Sequence, residues 1–231
     1  VAASQARSPL RVDARARDNV PDGLVVLAAS PLGARVETLL TDLSTTGRAV
    51  VDLDLGLDLN NVDDTLDVEV NIDLDAASLH ANTLNLDVTD ISGKLRFTRE
   101  QGFTGRGLKA YFYDQPLAID IGPSANDLLD SPLFAGRFAA QVSGENALAW
   151  ADLALALPIV GSAELVAEVA VDETAKVRLS STLAGMQIDM PAPVGKTAAQ
   201  NAPITVAFDV DADAPINVFW RGRLTGRGYR R

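Results

Sequence analysis

Cysteine is absent from the 231 residues, which removes disulfides, thiolate nucleophiles and Cys-ligated zinc together while leaving the compartment open. Histidine occurs once, at His80, where a strand pattern ends. A base or ligand role there would need partners that the sequence does not nominate, so it reads as a surface histidine. Aromatic residues make up only 5% of the chain, too few to build platforms for stacking bases or sugars. Cations are outnumbered, and the formal charge of -11 repels phosphate backbones and anionic lipid surfaces, which disfavours nucleic-acid binding. Apolar runs are short, none approaching the roughly 20 residues that cross a bilayer, and the N-terminus lacks the basic-then-apolar pattern of a signal peptide. The chain opens at Val1 and closes on an Arg-rich stretch just past a strand signal at Ile216 to Arg221. It reads as a section of a longer protein, with residues 1–8 a disordered or excised end and Arg221, Arg223, Arg227, Arg230 and Arg231 a frayed one.

What is present is a strict alternation. Apolar content of 47% against 22% charged residues is that of a folding chain. From Thr46 to Asn60, Val51, Leu53, Leu55, Leu57 and Leu59 share one face while Asp52, Asp54 and Asp58 share the other. Thr65 to Asp75 repeats the pattern with Leu66, Val68, Val70, Ile72 and Leu74 against Asp67, Glu69, Asn71, Asp73 and Asp75, and NNVDD between them is a turn. Leu84, Leu86 and Val88 continue it, but the parity then shifts to Ile91, Leu95 and Phe97 around Asp90 to Gly93, which predicts a β-bulge. Phe103 to Tyr113 and Leu117 to Ile121 complete a meander. Two short helices, Pro21 to Ala29 and Leu32 to Leu43, are predicted ahead of it from capping residues and helical spacing.

Residues 122–132 (GPSANDLLDSP) read as a linker, after which the syntax restarts. A strand at Leu10 to Ala16, helices, then Gly47, Ala49, Val51 and Leu53 have counterparts in Phe134 to Val142, a helix near Asn146 to Leu155, then Gly161, Ala163, Leu165, Ala167, Val169 and Val171. A second parity shift follows Val177, Leu179 and Leu183, at Gly185, leading to Met186, Ile188 and Met190. The chain is therefore divided into one repeat over 9–121, the linker, and a second, incomplete repeat over 133–231. The expected fold is mainly β: long antiparallel amphipathic strands forming a bent sheet or groove of stacked repeats with a few short α-helices, the alternative being a β-sandwich.

Catalytic and metal-binding patterns fail one by one. Gly105, Gly107 and Ala110 spell G-x-G-x-x-A, but a strand signal follows where a dinucleotide site needs a helix. Asp209, Asp211 and Asp213 imitate the start of a calcium loop, yet its sixth and twelfth positions are Ala214 and Trp220. The carboxylates between Asp52 and Asp75 read as a solvated face that discourages edge aggregation. Tyr111 and Tyr113 alternate with Phe112, which places Phe112 on the packed side. No catalytic residue, metal site or cofactor is expected, and the chain is read as a non-enzyme.

The remaining question is what covers so many one-sided strands. Two sheets packed at about 10 Å would make a dry core, whereas an open trough would accept acyl chains; the aliphatic, uniform lining leans to the trough. At this point the runs SPLRVDARARDNVPDGLVVLAASPLGARVETLLTDLSTTGRAVVDLDLGLDL, ISGKLRFTREQGFTGRGLKAYFYDQPLAIDI and IDMPAPVGK come into play. Together they resemble the central-to-C-terminal part of the YhdP family of AsmA-like proteins of Gram-negative bacteria, over most of residues 9 to 221. The resemblance implies a large periplasmic protein anchored in the inner membrane, whose hydrophobic β-groove carries phospholipid towards the outer membrane. Neighbouring repeats of the full-length protein and phospholipid acyl chains would be its partners. The lining expected to bind those chains is Leu53, Leu55, Val68, Val70, Ile72, Leu86, Leu95, Phe97, Leu165, Val169 and Leu179.

Overall fold

The computed structural model describes residues 9–21, 43–58, 67–82, 85–98, 100–123, 125, 127–129, 132, 134–150, 157–172, 174–210, 215–221 and 223–229. Long strands dominate because β-branched and aliphatic residues alternate with charged ones, a pattern that suits a pleated ribbon wet on one side. The first half contains β1 (Pro9–Asn19), β2 (Leu43–Asp58), β3 (Asp67–Ala81), β4 (Leu86–Thr98), β5 (Gly102–Phe112) and β6 (Gln115–Ile121). The second contains β7 (Phe134–Ser143), helix α1 (Gly144–Trp150), β8 (Ile159–Val171), β9 (Ala175–Ser181), β10 (Met186–Ile188), β11 (Ile204–Asp209), β12 (Pro215–Trp220) and β13 (Arg223–Tyr229).

These strands form one antiparallel sheet in chain order, except that β10 pairs with β8 beyond the end of β9. The sheet is open, with β1 and β13 as its outer strands, and is not the two-layer sandwich. It crosses the expected linker without a break, since β6 pairs with β7 from Leu117↔Ala140 to Ile121↔Gly136. The predicted helices at Pro21 to Ala29 and Leu32 to Leu43 lie almost wholly outside the described residues. Leu43, however, opens β2 and is extended. The Arg-rich end is also a correction: Arg223 to Tyr229 pairs with β12 as a strand, because β12 would otherwise present an unpaired edge.

The parity shifts become bulges. Register slips between Leu74 and Ala77 on β3 and between Ile91 and Val88 on β4, with Ala76 and Asp90 at φ 51° and 53°. On β5 the slip lies between Gly105 and Leu108, where Gly107 (φ 64°) donates its N–H to Asp120 Oδ1 at 2.9 Å. Bulges in successive strands add local twist, so a crease crosses β3 to β5. In the second half, the strand breaks between Ser181 and Met186, with Leu183 and Gly185 at positive φ.

The wet face is a ladder of opposite charges rather than the uniformly acidic surface that the runs of Asp imply. The acidic strands β2 and β3 are flanked by basic residues of β1 and β4. Arg11 pairs with Asp54, Arg15 with Asp52 at 3.4 Å, Arg48 with Asp75 at 3.0 Å and Arg96 with Glu69 at 2.7 Å. Further on, Asp120, Arg137, Glu168 and Arg178 stand opposite one another across β6 to β9. Exposed pairs of this kind each contribute little to stability, but like charges directly opposite are unfavourable, so the ladder favours one register.

Candidate functional site: a one-sided apolar face

Residues directly opposite in an antiparallel pair share a face, so the register fixes which side chains line up. One row runs Ala14, Leu53, Val70, Phe97, Phe103, and the next runs Ala16, Val51, Ile72, Leu95. Another crosses the second half as Ile119, Phe138, Ala167, Leu179, Val206, Val218. The apolar face is thus continuous from β1 to β12. Its aromatic contact is local, with the rings of Phe97 and Phe103 5.0 Å apart and inclined at 55°.

Burial along this face is graded. At the end where β5 and β7 finish, Val88, Leu108, Ala110, Phe112, Leu117, Ile119, Ala140 and Val142 form a closed core, and Ala147 and Trp150 of α1 pack on it. The helix is placed by Ser143, whose Oγ accepts the Asn146 N–H at 3.1 Å as an N-terminal cap, with Glu145 in the first turn. Towards the other end the face is half-buried over β2 to β4, whereas Val171, Ala175, Val177 and Phe208 form a second buried group across β8, β9 and β11.

All eleven expected lining residues lie on this face, and each is half-buried. Leu53, Leu55, Val68, Val70, Ile72 and Phe97 make a contiguous patch on β2 to β4, with Leu53↔Val70, Leu55↔Val68 and Val70↔Phe97 in direct opposition. Leu86, Leu95 and Leu165 instead shoulder the closed core. Val169 and Leu179 sit on β8 and β9, separated from the first patch by β5 to β7. The core residues Leu108, Ala110, Phe112, Leu117 and Ile119 were not among the expected lining; the alternation Leu108, Ala110, Phe112 is the signal that would have found them.

The polar candidates take other places. His80 Nδ1 lies 2.6 Å from Asp87 Oδ1 on the neighbouring strand. Tyr111 and Tyr113 are exposed and Phe112 is buried, as the alternation predicts. Glu69 is held below the usual carboxylate range by hydrogen bonds from Arg96 and Asn71. Lys196, in the MPAPVGK segment, is 5% exposed and donates from Nζ to the carbonyls of Leu183 (2.8 Å) and Met186. Its burial, and secondarily the charge of Arg221, push its ammonium below the ordinary value. Met190 lies outside a strand, in the exposed turn that Lys196 anchors.

A shallow hollow of about 390 Å³ opens on the charged face, lined among others by Asp52, Asn71, Asp73, Lys94, Arg96 and Arg106. Its lining mixes both signs in open solvent, and it lies on the opposite side of the sheet from the apolar rows. Among the described residues no group of three or more His, Asp or Glu is placed to hold a metal, and no helix is long and apolar enough to cross a membrane. The apolar face is the surface whose chemistry calls for a partner.

Comparison with curated proteins and with solved structures gives no match. The family model described as YhdP protein matches residues 2–224. The chain belongs to the YhdP family.

Proposed function

We propose that this chain is a section of a periplasmic hydrophobic β-groove that binds the acyl chains of phospholipid and helps carry phospholipid between the inner and outer membranes, supporting outer-membrane integrity. Family membership supports a role in AsmA-like lipid transport and a place in the bacterial envelope. The observation that carries the reading to acyl chains is the continuous apolar face of an open sheet, half-buried at Leu53, Leu55, Val68, Val70, Ile72 and Phe97 on β2 to β4. A hydrocarbon chain needs apolar area and no hydrogen-bonding partner, and burying it there is worth about 25 cal/mol per Å². The function rests on a surface, without a catalytic step. The longer protein is anchored in the inner membrane, and neighbouring repeats extend the trough beyond β1 and β13.

Native mass spectrometry of the chain purified from a bacterial envelope fraction tests this. Phospholipid-sized mass increments, identified by extraction, are the expected result. A chain that arrives lipid-free and takes up none from phospholipid vesicles would overturn the reading.

A further inference from the structure

The two halves of the sheet repeat one arrangement, and one place that is filled in the second half stands open in the first. Gly47 and Gly161 share nearly the same conformation, φ 96° and 94°. Arg48, directly after Gly47, pairs with Asn19 of β1, and Ser162, directly after Gly161, pairs with Ser143 of β7. Counting back from these two pairs, Val12, Ala14 and Ala16 of β1 correspond to Gly136, Phe138 and Ala140 of β7. β7 has a strand on each side. Away from β8 it takes β6, antiparallel, with Leu117↔Ala140, Ile119↔Phe138 and Ile121↔Gly136 on the apolar face and Asp120↔Arg137 on the wet one.

β1 has only β2 beside it among the described residues. Its eleven residues pair with β2 without a register slip, so its free edge is straight and regular. Bulges and interior prolines blunt such an edge, whose unpaired N–H and C=O groups otherwise accept a further strand. The one proline of β1, Pro9, is its first residue. Burial follows the difference between the halves. Gly136 and Ala140 are buried, whereas Ala14 and Ala16 are exposed, as are Val12 at 39% and Leu10 at 42%.

The side chains of β1 state what the strand beside it must carry. Over Val12, Ala14 and Ala16 it needs aliphatic residues, as Leu117, Ile119 and Ile121 supply to β7. On the wet face β1 offers Arg11, Asp13, Arg15 and Arg17. Opposite charges favour directly opposed positions, and like charges there are unfavourable. A second copy of this chain meets the demand badly. Laid antiparallel on another β1, it sets Arg11 against Arg17 when Ala14 is central and Arg11 against Arg15 when Asp13 is central. We infer that the free edge of β1 is a docking site for one antiparallel strand of alternating aliphatic and charged residues, acidic opposite the arginines and basic opposite Asp13. This rests on the reading above that neighbouring repeats extend the trough, and adds the direction, register and charge pattern of the strand that does so at β1.

Two strands of identical composition test it. Each is a copy of the β6 segment Gln115–Ile121 joined ahead of Val1 of the full chain by a flexible Gly/Ser linker, which holds it at a roughly millimolar effective concentration. One copy carries Ala118→Asp and Asp120→Lys, so that in the register of β6 its acid meets Arg15 and its lysine meets Asp13. The other carries Ala118→Lys alone and reverses both contacts. Hydrogen exchange is read by NMR at the β1 amides between Val12 and Ala16 that face away from β2. It should slow by about tenfold or more with the first strand and hardly change with the second. Equal protection by both would overturn the charge pattern, and protection by neither would overturn the docking site. Protection already present in the chain without a fused strand, together with a dimer in light scattering, would assign the edge to a second copy and overturn the inference as well. Lipid taken up from phospholipid vesicles by the same fusions reports on the acyl chains separately: slowed exchange without uptake would remove acyl binding and leave the docked strand in place.

Discussion

Gly161 on β8 is in backbone contact with Gly185 at the β9–β10 junction, so that a Cβ on Gly161 would overlap the Gly185 carbonyl oxygen. Gly47 on β2 meets Ala76 on β3 in the same manner, its Cβ falling 2.5 Å from the Ala76 carbonyl oxygen. The two strand glycines adopt nearly the same conformation, φ 94° and 96°. Each stands near the start of the strand that follows the β1 or β7 arm and touches the bulge of the next strand. The sheet therefore makes the same close crossing in each half, at the position where the alternation of apolar residues changes parity.

That contact predicts a contrast between glycines. Gly161→Ala combines a strained φ with a backbone overlap and should lower stability by about 3 kcal/mol. Gly107→Ala has a positive φ but nothing near the new Cβ, and should cost only about 1 kcal/mol. Urea unfolding of the two variants checks the ordering, and equal losses would refute the role assigned to the crossing.

Much of this was legible beforehand because Leu, Val and Ile alternate with Asp so regularly. The slip from Leu86 and Val88 to Ile91 and Leu95 predicted the bulge that Asp90 makes, since a one-residue change of parity has few other physical meanings. Charge pairing was not legible. Arg11 and Asp54, or Glu69 and Arg96, are 43 and 27 residues apart, and periodicity along one strand says nothing about which strand lies beside it. The acidic face was consequently overestimated. The strand at Arg223 was missed because its Arg and Gly residues carry no apolar alternation, and its extended form comes from the partner β12 supplies.

Lys196 gives a pH prediction with a definite sign. Its folded pKa lies below the unfolded value because burial disfavours the ammonium. Between the two values the unfolded chain binds more protons, so stability should rise as pH climbs from the folded value towards the unfolded one. Lys196→Met removes that dependence and leaves the carbonyls of Leu183 and Met186 without their donor, a loss of about 1–3 kcal/mol at neutral pH. The stability advantage of wild type over the variant, followed through the alkaline range, should therefore widen with rising pH. A difference that shrinks would contradict the assigned cause.

Glu69 titrates in the opposite corner of the pH scale. Arg96 and Asn71 hold its carboxylate in the ionised form, so its small stabilising contribution is present above the unfolded pKa and is lost as pH falls through the lowered folded value. In an NMR titration the Glu69 carboxyl should protonate at lower pH than an ordinary glutamate. Arg96→Gln should move it back up. Side chains here are open to solvent, so added salt should narrow the gap.

The lining itself is tested by two substitutions on β3, three residues apart, that point to opposite faces. Val70→Asp places a charge in the row formed with Leu53 and Phe97. A carboxylate there must be desolvated whenever a hydrocarbon chain covers it, so lipid occupancy should fall by about tenfold or more. Asp73→Asn alters the wet face opposite Lys94 and Val50 and should leave occupancy unchanged. Quantifying lipid extracted per mole of each folded variant reads the difference. Thermal unfolding of the lipid-free forms separates binding from folding: if Val70→Asp loses occupancy only in proportion to its unfolded fraction, the patch is a structural core. Full folding with empty extracts would instead identify the apolar face of β2 to β4 as the surface on which the acyl chain lies.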